Sequence, residues 1–187
     1  RIFCLFDRFK ADPETIGKFR IGHKVSGKWI EYSADEYINI SNNISYGLLS
    51  LGIRKGDKIA TITNNRPEWN FMDMGMAQIG AIHVPIHSSL TTDELLYIIN
   101  HSDSKIVMVS DKSLYKKLSE VKNKLPLVQD IYTFNKVEGA KNWLEIADLG
   151  KSNSAEQIDR IKEIKAGIPE DALLSIIYTS GTTDNPK

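Results

Sequence analysis

The sequence predicts an α/β fold: a mainly parallel sheet flanked by helices on both faces. Three observations predict it. Short apolar runs recur along the chain and read as buried strands. Between them lie helical periodicities with recognisable start and stop signals. The two kinds of segment alternate, which is the pattern of βαβ units.

The elements can be justified in order. Phe19-Arg20-Ile21-Gly22-His23 and Lys28-Trp29-Ile30-Glu31-Tyr32 flank Lys24-Val25-Ser26-Gly27. Alternating apolar residues around a Ser-Gly turn predict a hairpin. Ser33 with Glu36 forms a capping box, and Tyr37, Ile40, Ile44, Leu48 and Leu51 follow at helical spacing until Gly52. Residues 58–63 predict a buried strand. Asn64-Asn65-Arg66 is a turn, and Pro67 suits the first turn of a helix because it has no N–H to satisfy. Trp69, Met72, Met76 and Ile79 make that helix's apolar stripe, and core packing explains the neighbouring Met72, Met74 and Met76 better than a cofactor surface. Residues 81–86 predict the next strand. Thr91 with Glu94 is a second capping box, before a helix carrying Leu95, Ile98 and Ile99. A third strand is expected over 104–110, a polar helix over 113–124 and a further strand over 130–134. The stretch from Lys136 to Gly167 is charged and polar, with weak helical signals, and reads as a surface connector. Leu173-Leu174-Ser175-Ile176-Ile177-Tyr178 reads as a last strand.

Composition narrows the function classes. The chain has 187 residues, of which 41% are apolar and 26% charged, the balance of a globular protein. A chain of this length buries close to 70% of its unfolded surface and needs no disulfide or metal to fold. The 24 basic and 24 acidic side chains cancel, which argues against a nucleic-acid partner, since phosphate backbones demand a basic excess. Cys4 is the single cysteine, so a reducing, cytoplasmic compartment is expected and the thiol reads as inert. No apolar run reaches the roughly eighteen residues of a spanning helix. His23, His83, His87 and His101 show no metal spacing, and no metal ligand is assigned. Arg1 and Lys187 both read as cut ends.

One stretch carries chemistry. The last apolar run feeds directly into Thr179-Ser180-Gly181-Thr182-Thr183-Asp184-Asn185-Pro186-Lys187. Small hydroxyl residues around a Gly can turn several N–H groups toward one point and make an anion site. A terminal Lys can reach a phosphate as a point charge. A loop just past the carboxyl end of a strand is where open α/β sheets bind ligands. It is not a Walker A loop, because Lys187 follows Pro186. It is not a nucleophile elbow, because Tyr178 and not Gly stands two residues before Ser180. Taken alone, such a cluster is also compatible with a plain surface turn.

Residues 178–187 resemble the phosphate-loop signature of the AMP-forming acyl-CoA synthetases, in the superfamily of luciferases and peptide-synthetase adenylation domains. That signature reads Tyr or Phe, then Thr-Ser-Gly-Thr-Thr-Gly, any residue, Pro and Lys. Nine of its ten positions hold here, counting the free one. Leu51-Gly52-Ile53-Arg54-Lys55-Gly56-Asp57-Lys58, Asn65-Arg66-Pro67-Glu68-Trp69 and Gly80-Ala81-Ile82-His83-Val84-Pro85-Ile86 resemble further stretches of that family. In texture the chain is most similar to bacterial long-chain fatty acid–CoA ligases.

The resemblance implies that 1–187 is the N-terminal portion of an adenylate-forming domain. Within it, 1–32 would be a hairpin entry, 33–135 the α/β core, 136–170 a surface connector and 171–187 the strand and phosphate loop. It implies that ATP and a fatty acid form an acyl-adenylate and pyrophosphate, with Mg2+ neutralising phosphate charge. Coenzyme A, the co-substrate, then takes the acyl group. Thr179, Ser180, Gly181, Thr182, Thr183 and Lys187 would hold the β- and γ-phosphates of ATP. No catalytic residue is carried over onto this chain, and the chain alone is expected to be inactive. The resemblance also allows peripheral membrane contact in the parent, and it leaves the oligomeric state open. Asp184 departs from the signature's second Gly. Two other readings stay open: a synthetase for a different carboxylic acid, and a non-catalytic phosphate-binding module.

Overall fold

The computed structural model describes residues 1–179. In chain order the elements are α1 (Cys4–Ala11), α2 (Pro13–Lys18), β1 (Arg20–Val25), β2 (Lys28–Ser33), α3 (Ala34–Ser50), β3 (Lys58–Ile62), α4 (Pro67–Gln78), β4 (Ile82–Ile86) and α5 (Thr92–His101). They continue with β5 (Ser104–Val109), α6 (Lys112–Ser119), a 3-10 turn (Lys122–Lys124), β6 (Asp130–Thr133), β7 (Lys141–Asn142), α7 (Trp143–Ser152) and α8 (Ser154–Ala166). The chain forms two compact units. One comprises 1–52, 65–79 and 146–172; the other comprises 53–64, 80–145 and the chain from Leu173 on.

The second unit holds the sheet that the alternating pattern predicts. Five strands lie in the order β4-β3-β5-β6-β7, and every neighbouring pair is parallel. Ala60, Ile62, Val84, Ile86, Val107, Val109 and Ile131 point to one face. There they pack with Leu95, Ile98 and Ile99 of α5 and with Leu114 and Leu118 of α6. The alternate set, Ile59, Thr61, His83, Ile106, Met108 and Tyr132, is buried as well. Burial on both faces is why these strands read as continuous apolar runs and not as alternations.

The starts of α3, α5 and α6 are capped by side chains. Ser33 accepts from the Glu36 amide while the Glu36 carboxylate accepts from the Ser33 amide, and Thr91 and Glu94 repeat this reciprocal cap. Asp111 caps α6 by accepting from the Ser113 and Leu114 amides. The helix expected over 113–124 ends at Ser119, and a separate 3-10 turn completes the stretch.

In the first unit, β1 and β2 pair as the predicted hairpin, closed by Val25 opposite Lys28. Ser26 and Gly27 both take positive φ, 48° and 82°, which is the turn that matches the twist of a two-residue hairpin. The helices α1 and α2 before it were not expected. Their anchor is an aromatic cluster: the Phe6 ring meets Tyr37 edge-on at 5.1 Å, Phe19 stacks on Tyr37 at 5.9 Å, and Phe71 joins Tyr37 and Tyr32. Burial, with Asp73 nearby, pushes the Tyr37 hydroxyl up to about 12.

The stretch 136–170 corrects the expected surface connector: it forms β7, α7 and α8. Trp143, Ile146, Gln157 and Ile161 are buried. The reason is packing by small residues, which hydropathy does not register. Gly150 of α7 lies so close to α3 that a Cβ would sit 1.8 Å from the Asn43 carbonyl oxygen; a Cβ on Gly47 would sit 1.9 Å from that of Ile146. Helix α8 packs on α3 and α4. Its Lys165 Nζ donates to Gln78, whose amide donates to Ser45 Oγ, which in turn donates to the Gly75 carbonyl. Burial holds the Lys165 ammonium below its ordinary range.

Candidate functional site

The expected phosphate loop is reached through residues 173–179. The strand expected over 173–178 reduces to one parallel bridge, Ser175 beside His83 of β4. The His83 amide donates to the Leu174 carbonyl at 3.0 Å, and the Ile176 amide donates to the His83 carbonyl at 2.9 Å. Leu173 and Ile177 are 59% and 67% exposed, so only one face of the segment is buried and little holds it as a ladder. On the other face Ile176 and Tyr178 pack against the sheet core.

Tyr178 is tied down by its side chain. Its hydroxyl lies 2.7 Å from Nδ1 of His101, the last residue of α5, and the two rings meet edge-on at 5.7 Å. The His101 ring stacks on Tyr97, with centroids 5.4 Å apart. Burial, and then Tyr97 and Asp103, push the Tyr178 hydroxyl above its ordinary value. Sequence reading did not find this group, because His101 and Tyr178 are 77 positions apart.

Of the predicted site residues, Thr179 is described and exposed. Ser180, Gly181, Thr182, Thr183 and Lys187 lie outside the described residues, as does Asp184. The loops following β3 and β4 are polar: Ser88 Oγ donates to Asn64 Oδ1 at 3.2 Å, and His87 Nδ1 lies 2.8 Å from Ser89 Oγ. These loops follow the carboxyl ends of the strands, where doubly wound sheets place ligands. Of these residues, Asn64 was expected in the turn after β3.

His83 is buried with Nε2 2.7 Å from Thr61 Oγ1, a satisfied pair inside the sheet. Among the described residues, no group of three or more His, Cys, Asp or Glu could hold a metal ion. A cavity of about 310 Å³ lined by Tyr115, Ser119, Lys122, Gln129, Asp130 and Lys141 opens beside the start of β6. It lies at the amino end of that strand, opposite the ligand-binding edge of such sheets. Its Lys141 is already paired with Asp130 at 2.9 Å.

Comparison with known proteins agrees with the fold and the signature. The chain is 29% identical over 204 aligned residues to fatty acyl-CoA synthetase A of Dictyostelium discoideum, covering 100% of this chain and 29% of that protein. It is 25% identical over 185 residues to a long-chain-fatty-acid–CoA ligase, FadD15, of Mycobacterium bovis, covering 98% and 29%. The chain therefore spans under a third of the length of these relatives. The solved N-terminal domain of FACL13 from Mycobacterium tuberculosis superposes with a TM-score of 0.72 at 23% identity, over 98% of this chain and 42% of that one. An anthranilate CoA ligase, AuaEII, superposes with a TM-score of 0.70 at 19% identity, over 97% and 33%. At these identities the superpositions speak for the fold. The family model described as AMP-binding enzyme matches residues 14–187, and the chain belongs to that family.

Proposed function

We propose that this chain is the N-terminal portion of an ATP-dependent, AMP-forming long-chain fatty acid–CoA ligase. One observation carries the reading: the family match over 14–187 ends on the phosphate-loop signature at 178–187. In this reading Thr179, Ser180, Gly181, Thr182, Thr183 and Lys187 bind the β- and γ-phosphates of ATP while the acid oxygen attacks the α-phosphorus. Small hydroxyl residues, backbone N–H groups and one ammonium suit that task, because the transferring centre needs positioning and charge neutralisation more than covalent help. A magnesium ion would supply further charge neutralisation at the phosphates, and no described residue is assigned to it. The acid, ATP and coenzyme A are the substrates. The long acyl class rests on the named relatives.

The reading includes a cytoplasmic enzyme that touches a membrane to collect its acid. The tip of the β1–β2 hairpin supports this part. Trp29 is 66% exposed with the Lys24 ammonium 5.8 Å from its ring centroid, and Val25, Lys28 and Ile30 are exposed beside it. An exposed Trp among lysines suits a lipid headgroup layer.

Pyrophosphate release and acyl-CoA formation test the function. The protein at its natural length, given ATP, Mg2+, palmitate and coenzyme A, should release pyrophosphate and form palmitoyl-CoA. The 187-residue chain alone should do neither. A panel of acids that gave turnover only with short or aromatic members would move the assignment to another acid. ATP binding without turnover on any acid would leave a phosphate-binding module.

Asp184 provides a second, sharper test. Its carboxylate stands where the signature has Gly, beside the expected polyphosphate, and like charge is unfavourable there. Asp184→Gly should tighten ATP binding about thirtyfold, the equivalent of a like-charge repulsion of about 2 kcal/mol at an effective dielectric of about 20. Titration calorimetry of the natural-length protein reads this. An unchanged dissociation constant would show that Asp184 points away from the nucleotide.

A further inference from the structure

We propose that the tip of the β1–β2 hairpin enters the headgroup layer of an anionic lipid bilayer, with Val25, Trp29 and Ile30 inserted and Lys24 and Lys28 on the lipid phosphates. The inference rests on the membrane-contact part of the reading above; it names the lipid and the residues that meet it. Every residue from Lys24 to Glu31 is exposed, so the tip stands clear of the packed part of its unit. Opposed residues of an antiparallel pair share a face. Lys24 and Trp29 therefore lie on one face, while Val25 with Lys28, and Ile30 opposite His23, lie on the other. Further down the hairpin that second face is held to the unit, because Tyr32 meets the Phe71 ring edge-on at 5.0 Å.

Three features favour a lipid layer over a protein partner. The first is that apolar side chains stand on both faces of the tip: Trp29 on one, and Val25 and Ile30, 43% and 41% exposed, on the other. A protein surface would cover one face and leave the other wet, whereas a fluid layer closes around both. Charge is the second. From Arg20 to Ile30 the chain carries Arg20, Lys24 and Lys28 and no carboxylate, although its charges cancel as a whole. Anionic headgroups attract such a cluster. The third is depth. Among the described residues this sheet has two strands, so each keeps an outer edge of N–H and C=O groups that need water. Those groups keep the tip out of the hydrocarbon and stop it among the headgroups, where Trp is favoured.

Vesicle co-sedimentation of the natural-length protein tests this, with phosphatidylcholine alone and with equal parts of phosphatidylcholine and phosphatidylglycerol. The protein should bind the mixed vesicles in preference to the neutral ones. Lys24→Ala and Lys28→Ala should each lower partitioning about fivefold, the usual worth of one lysine near an anionic surface, and together about thirtyfold. Trp29→Ala should lower it about tenfold through the lost apolar area. Lipid brominated in its acyl chains should quench the fluorescence of the parent more than that of Trp29→Phe. Thermal midpoints, and pyrophosphate release measured without vesicles, should be the same in parent and variants, because these side chains are exposed.

Full binding by the folded Trp29→Ala and double lysine variants would place the membrane contact elsewhere and remove this inference alone. Equal binding to both kinds of vesicle would overturn the anionic assignment. A loss in the lysine variants with none in Trp29→Ala would overturn insertion. Lipid-free self-association that Trp29→Ala abolishes would assign the tip to a second copy of the chain. No binding of the natural-length protein to either vesicle would remove the membrane reading as well, while pyrophosphate release would still decide the ligase.

Discussion

A Gly150→Ala variant is expected to lose about 3 kcal/mol of stability, the upper end of what overpacking a close contact usually costs. For a chain of this size that is a fall in the thermal midpoint of about 6–12 °C. Helix propensity alone argues the other way, since Ala is favoured over Gly in a helix interior by about 1 kcal/mol. Sterics decide. The new methyl would lie 1.8 Å from the Asn43 carbonyl oxygen and 2.6 Å from the Gly47 amide nitrogen. Both are backbone atoms of α3, so no side chain can swing aside. The helices would have to separate, opening the contact at Gly47, where a Cβ has as little room. Gly17 in α2 is the internal control: nothing lies within 4 Å of a Cβ there. Gly17→Ala should be neutral or stabilise by up to about 1 kcal/mol. Calorimetric melting of both variants checks this, and equal midpoints would show that α7 does not sit against α3 as described.

Arg66→Ala is expected to cost about 2 kcal/mol at pH 7, less than the about 3–5 kcal/mol of a fully buried pair because some water reaches it. Arg66 grips Glu68 with two bonds, Nε to Oε2 at 2.9 Å and Nη2 to Oε1 at 2.8 Å, and the side chains are only 16% and 11% exposed. Burial by itself would push the Glu68 carboxyl up. The Arg66 hydrogen bonds, the Glu68 amide and the charges of Arg66 and His23 outweigh it, and the carboxyl is held below its ordinary 4.5. A carboxyl depressed on folding stabilises the protein above its unfolded value and loses that contribution as pH falls through its lower folded value. The pair therefore acts fully at neutral pH and fades below about pH 4. In Arg66→Ala the uncompensated carboxylate is costly at neutral pH, and protonation relieves it. The gap in thermal midpoint between parent and variant should thus narrow from pH 7 to pH 3. A gap that stays constant over that range would mean the loss comes from packing of the Arg66 stem.

Much of the fold was legible in local sequence. Both capping boxes declare themselves in four residues, and the Ser26–Gly27 turn in two. The apolar runs became β3, β4, β5 and β6 within a residue or two of the expected limits. The phosphate signature was legible because phosphate recognition concentrates its groups in one contiguous loop.

The failures share a different cause. α7 and α8 looked like a connector because Lys, Glu, Asp and Ser dominate 136–170. Their attachment to α3 depends on two glycines about a hundred positions apart, and an isolated Gly lowers helix propensity when read alone. α1 and α2 were missed because Phe6 and Phe9 show their purpose only once Tyr37 and Phe19 stand against them. The last strand was over-read: Leu173–Tyr178 has the composition of a strand, yet pairing needs a neighbour, and β4 engages it only around Ser175.

The family thus follows from the amino-acid order, since strand runs and helix caps are encoded by near neighbours and the proposed phosphate loop is one contiguous stretch. Which helices touch, where a carboxylate is buried and what the Tyr178 hydroxyl meets came only with tertiary structure. Gly47 against Ile146 and Tyr178 against His101 are contacts across 99 and 77 positions. Such contacts form because the folded backbone brings the two surfaces within bonding distance, and no local rule of sequence carries that distance.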